Sequence, residues 1–456
     1  MKNNTKKVAM LLVVAMMMAL LPMAAFATAE GDLTAGGTIV LDSDVALTNV
    51  LTITAETTID LNGHTITAAD GKNGIEAVGA TLTIKDSVGT GKIVANGDSV
   101  SAVRAGQNKN VIASPVAGTV VLESGSIEAP NGFGVTVWQN STLTVTGGIV
   151  KGSTAISGNG DNNGTTITIS GGIISGTIGV YHPQNGTLNI SGSAIISALS
   201  TGVEVRAGSF NLSGGTITTN ASETSIGANG SGNTVDGAAV AVSPHSTGHP
   251  LSFTMTGGTL NAESGGAGIV ESNAQGSATV PTLSMSAGSV NSATPVLTET
   301  AAGDDFITGG NFSDKPRGDS IKDNDQLGGY AAAVADAGGY KVLPASGIKA
   351  STSSDYFESV EGALATNPDG LIINGDALED GETFNIPEGI EAGITYPSNN
   401  SGVVEPLPAG GYEVSVPAGS TTPVVTPVSS GTPGEPEPTP GRPNPSTGVK
   451  LGGACR

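Results

Sequence analysis

The chain has a single cysteine, Cys455, so no intrachain disulfide can staple the fold. Aromatic residues make up 3% of it and Trp138 is the one tryptophan, which argues against a compact enzyme with an aromatic-lined cleft. Basic residues are scarce, 18 Lys and Arg against 40 Asp and Glu, for a net charge of -22, and this excludes nucleic acid as an expected partner. Such an acidic surface favours solubility and a monomer, and it tolerates calcium without requiring it. Long apolar runs are confined to one place. Lys2, Lys6 and Lys7 precede an apolar stretch from Val8 to Leu21, and Ala25-Phe26-Ala27 fits a signal-peptidase site. The stretch is short for a membrane span, so residues 1–27 are expected to be a cleaved export signal. Its removal takes away three lysines and no acids, leaving a charge of -25.

What the chain has in abundance is glycine, 68 residues, and a repeat. From Leu143 a phrase recurs as LTVTGGIV, ITISGGII from Ile167, LNISGSAI from Leu188, FNLSGGTI from Phe210, FTMTGGTL from Phe253 and LSMSAGSV from Leu283. Weaker copies start at Leu82 and Val120. The steps between the six strong copies are 24, 21, 22, 43 and 30 residues, and a repeat in the low twenties is the length of one β-helix coil. Within each copy the alternation puts Leu143 and Val145, or Phe210 and Leu212, on one side and Thr144 or Asn211 on the other. Stacked coils then make an aliphatic core and a Thr/Ser/Asn outer face, with the glycine pair at the corner. A second short strand follows each corner and a third recurs as Val135-Thr136-Val137-Trp138, Val180-Tyr181 and Val203-Glu204-Val205-Arg206. The expected fold is all-β, a right-handed parallel β-helix of about ten coils, handed by the crossover rule for parallel strands.

The long steps imply insertions, one around Thr219 to Asp236 and another at Ala105 to Pro115. Thr58 to Thr67, TIDLNGHTIT, reads as the start of the stack. FITGGNF from Phe306 and a closing hairpin over Tyr330 to Val342 end it, giving a β-helix over 28–345. Residues 346–415 lose the repeat and read as a small α/β module or partial cap, with helical spacing from Tyr356 to Ala365 and a strand at Leu371 to Ile373. From about Pro417, within a segment spanning 416–456, the composition is that of a Pro/Thr/Ser-rich spacer.

Three features bear on chemistry. By alignment, Glu76, Arg104, Thr136, Tyr181 and Glu204 share an outward column on the third strand, with Trp138 and Arg206 two places along. An exposed tryptophan beside polar groups suits stacking on a sugar, so Trp138, Tyr181, Glu204, Arg206 and Arg104 form a candidate glycan-binding strip; the plain alternative is a solvated face with an ion pair or two. The repeat strands hold almost no acids where a lyase needs calcium ligands or a glycosidase needs paired carboxylates, so no catalytic residue is assigned. His245 and His249 lack a third ligand and read as a solvated loop, His64 as a corner, and Asp161 in GNGDNNG as a tight turn; no metal or cofactor is assigned, and calcium remains a weak alternative. The Thr/Ser columns also resemble the hydroxyl lattice of ice-binding solenoids, although Asn189 and Asn211 interrupt it.

The TIDLNGHTIT start, the serial glycine-cornered coils, the ITGGNFS exit and the Pro-rich tail together resemble adhesin-like, pectate-lyase-type β-helix surface proteins of gut Firmicutes, over roughly residues 31–345. The tail sequence Asn444-Pro445-Ser446-Thr447-Gly448 is similar to the LPxTG-like motif of sortase substrates, followed by eight residues without the usual apolar stretch. The resemblance implies an exported, non-catalytic surface protein, in the cell wall or secreted, that meets an extracellular glycan, a host or bacterial surface protein, or peptidoglycan if anchored. The fold also hosts lyases and glycoside hydrolases, so a polysaccharide-active enzyme is the alternative.

Overall fold

A computed structural model describes residues 28–428 except 231, 304, 317–328, 400–403, 409, 410 and 421. The expected export signal and the NPSTG motif lie outside the described residues.

The body is a three-sided parallel β-solenoid. Ten strands stack in register on the first side, from Gly37–Val40 to the start of Thr282–Thr298. Leu143, Ile167, Leu188, Phe210, Phe253 and Leu283 form one continuous inward file, each at most 8% exposed. Phe210 and Phe253 stack with ring centroids 5.2 Å apart, as a coil spacing near 4.8 Å requires. The corner glycines behave as the repeat predicts. Gly148 and Gly172 have φ of 74° and 79°, and a Cβ on Gly172 would lie 2.7 Å from the Gly148 carbonyl. Coils lacking a loop between faces run on as one bent strand, and Leu251–Glu271 spans all three sides.

Among the described residues each end of the stack carries a capping element. A short 3-10 helix, Glu30–Thr34, buries Leu33 beneath the first coil. At the far end Tyr330–Val334 and Tyr340–Pro344 form the expected hairpin, and Asn311–Phe312 pairs with it.

Beyond the hairpin stands a module with its own core of Phe357, Val360, Leu371, Ile373, Phe384 and Tyr412, among others. Two expectations shift here. The helix covers only Val360–Ala365, capped by Ser359, because Tyr356–Phe357 is drawn into pairing with Ala350–Ser351 and Ala333–Val334. The stretch read as spacer also contributes a strand, Val424–Pro427, antiparallel to Tyr412–Ser415. Pro423 precedes this edge strand and Pro427 ends it, positions where a missing N–H does no harm.

Candidate functional site

Strand pairing places Glu76, Arg104, Thr136, Tyr181 and Glu204 in one outward file on the third side, as the alignment expects, and adds Ser157 between Thr136 and Tyr181. The expectation that this file faces solvent fails over most of its length. Arg206 and Glu204 are fully buried and Tyr181 is 8% exposed. Trp138, expected to be exposed, is half-buried: the Arg104 guanidinium lies 5.6 Å from its ring centroid, and its indole nitrogen is buried without a partner. Arg104 also holds Glu76 at 3.2 Å. Burial raises the Glu76 carboxyl above its usual range against the pull of Arg104.

The cover comes from loops that leave successive coils at the end of the third strand and bond to one another. Asn162, fully buried, accepts from the Lys109 backbone at 2.9 Å and donates to Asn108 at 3.1 Å. Asn163 meets His249 Nε2 at 3.2 Å, and Ser277 donates to the His245 carbonyl at 3.1 Å. The GNGDNNG segment, read as a tight turn, and the His245–His249 loop, read as solvated, are therefore bonded into one canopy. Burial lowers the His245 imidazole pKa, the nearby Arg206 and His249 add to the drop, and Asp161 opposes it across the canopy.

The insertion around Thr219 to Asp236 is a hairpin, Ser225–Ile226 against Val235–Asp236, that folds back over the third side. Its apolar flank seats Val235 and Ile226 on Ala241 and Val270, which occupy outward positions in the coils after Glu204. Its polar flank is fixed by the buried charges. Arg206 Nη1 donates to the carbonyls of Gly232 at 2.7 Å and Asn229 at 3.2 Å and to the Tyr181 hydroxyl at 3.0 Å, while Nη2 donates to Gln275. Tyr181 donates to the Gly232 carbonyl at 2.9 Å. The Glu204 carboxylate accepts from the Thr234 N–H and hydroxyl at 2.9 and 2.7 Å and sits 3.7 Å from Arg206 Nε. Burial pushes the Glu204 carboxyl up to about 7, with Thr234 and Arg206 opposing the rise. Desolvation outweighs a nearby cation because the pair has left water together.

Sequence reading missed His182. It pairs with Val205, which pairs with Val242, so it points into the core one place beyond Tyr181. The ring is fully buried with neither nitrogen in good hydrogen-bond geometry, and burial pushes its pKa down to about 4 against an opposing pull from the Gly186 backbone. Gln184, also fully buried, donates to Thr165 at 3.1 Å while its carbonyl oxygen has no partner. The parity of the third strand carried this signal, since the residue after an outward Tyr181 must point inward. At the first corner, His64 follows Asn62 and Gly63 with φ of 46° and 82°, as read from the sequence, and lies 3.5 Å from Asp44.

Among the described residues no group of three or more His, Cys, Asp or Glu is arranged to hold a metal. Comparison with known proteins finds no matching family model, no matching curated protein and no matching solved structure.

Proposed function

We propose that the protein is a non-catalytic surface module of the adhesin type, exported and either wall-attached or released, whose partner is an extracellular glycan or surface protein. The observation that supports this most is how the third-side charges are used. Arg206, Tyr181 and Glu204 are bonded to the chain's own hairpin, whereas a lyase or hydrolase needs such groups facing substrate. The partly open remainder, Arg104 and Trp138, offers a cation and a ring with one carboxylate already tied to Arg104, a set suited to contact rather than turnover. The basic-apolar start and the NPSTG sequence support export and wall attachment.

One observation favours a polysaccharide-active enzyme as the second reading: the Glu204 carboxyl near 7 is tuned as a general acid would be. The hairpin seals it from any polymer. Incubating the full chain with mucin, plant and bacterial polysaccharides, with and without calcium, separates the two. Retention without new reducing or unsaturated ends, weakened by Trp138→Ala, is expected; release of such ends would replace the adhesin reading with an enzyme.

A further inference from the structure

The first side of the solenoid presents a second surface. Thr142, Thr166, Thr187, Ser209, Ser252 and Thr282 form one outward file, and Thr144, Thr168, Asn189, Asn211, Thr254 and Ser284 form the next. Every one of these is half-exposed or exposed, and the outward position two residues further along each coil is again Thr or Ser. No ionisable group occurs at any of these positions, in a chain with 40 acids and 18 bases. The carboxamides are ordered along the file, Asn211 donating to Asn189 at 3.0 Å, which leaves further donors and acceptors directed outward.

We propose that this face binds an ordered, uncharged polysaccharide, a crystalline β-glucan surface whose ring hydroxyls form a lattice of their own. Three arguments select that occupant. Over these six coils the face is neutral on a strongly acidic molecule, with the exposed Glu123 one coil beyond Thr146, so it suits a neutral partner. Its area, about 24 by 13 Å from a 4.8 Å coil spacing and a 6.7 Å two-residue repeat, is roughly 300 Å². A stable protein partner, which buries roughly 800 Å² of its own surface, would have to reach well beyond this hydroxyl grid, whereas a flat repeating lattice can be held by the grid itself. A repeating ligand compensates for weak individual hydrogen bonds by engaging many coils at once. A plane of ice would require a uniform grid, which Asn189 and Asn211 break.

The assignment rests on the binding reading above, and the two fail separately. The full chain is incubated with microcrystalline cellulose and, in parallel, crystalline chitin. Retention on cellulose that is insensitive to added salt is expected. The variant Thr168→Asp/Asn189→Asp/Asn211→Asp should lower it about tenfold or more, while Leu199→Asp, at an exposed position away from this side, leaves it unchanged. If the triple variant loses its strand signal in circular dichroism, Asn211→Asp alone should show a smaller loss in the same direction. The proposal is overturned by the absence of cellulose retention, by retention on chitin alone, by retention the face variants do not change, or by dimerisation that those variants abolish. Retention lost only in Trp138→Ala also overturns it, while leaving the adhesin reading in place.

Discussion

Replacing His182 with valine tests whether the core of the third side carries an unpaired titratable group. The ring shares an inward file with Val205 and Val242, so valine is the side chain that the file already uses. In the wild-type chain the ring is neutral at neutral pH, because burial lowers its pKa from 6.5 to about 4. Below pH 6.5 the unfolded chain takes up a proton that the native ring resists until about pH 4, so this group's stability is full above 6.5 and lost as pH falls through that window. The loss amounts to about 3 kcal/mol once the pH is below both values. His182→Val removes that slope. It also removes two buried nitrogens with no partner, whose desolvation costs about 1–3 kcal/mol, against a smaller penalty for lost volume. The variant should therefore match or exceed wild type at neutral pH and pull ahead by about 3 kcal/mol more at pH 4. Urea unfolding followed through Trp138 fluorescence at a series of pH values measures it, with midpoints compared because solenoids need not unfold in one step. Parallel acid losses in the two proteins, or a variant weaker by more than about 2 kcal/mol at neutral pH, would refute the argument and mean that the ring has a partner essential to the fold.

Glu204 should give the opposite slope. Its folded pKa, raised from 4.5 to about 7, makes its contribution complete below 4.5 and lost as pH rises through 7, and Glu204→Gln should abolish that neutral-to-alkaline decline in a thermal melt. Arg206→Ala leaves Glu204 buried without its cation and frees the Asn229 and Gly232 carbonyls; a loss of about 3–5 kcal/mol is expected, with new protease cleavage in the 219–237 hairpin before the coils are cut. Cleavage at the wild-type rate would mean that the apolar flank alone holds the hairpin. Gly118→Ala would set a Cβ 1.9 Å from the Ala77 carbonyl in a fully paired stack, so it should lower the melting temperature, whereas Gly71→Ala, with nothing within 4 Å, should show only the smaller strain of its φ of 67°.

Part of this architecture was legible one residue at a time. The two-residue alternation and the spacing near 22 residues determine which side chains fill the lumen, where the corners fall and which third-strand residues share a file, because every solenoid contact is made with the adjacent coil. The insertion near Thr219 and the closing hairpin at Tyr330 showed as interruptions of that period. What the period could not say is where an interruption lands. Arg206 meets Asn229, Gly232 and Gln275, 23 to 69 residues away, through hydrogen bonds that follow no repeat, and those bonds turn an apparently solvated strip into a buried one. The same holds for Asn162 tying the 106–117 loop to its own, and for Val424–Pro427, whose Pro-rich surroundings read as spacer until Tyr412–Ser415 supplied an edge. Local periodicity determined the coils; only the tertiary structure decided which of their faces reach water, since covering a face depends on individual donors and acceptors finding one another across the stack.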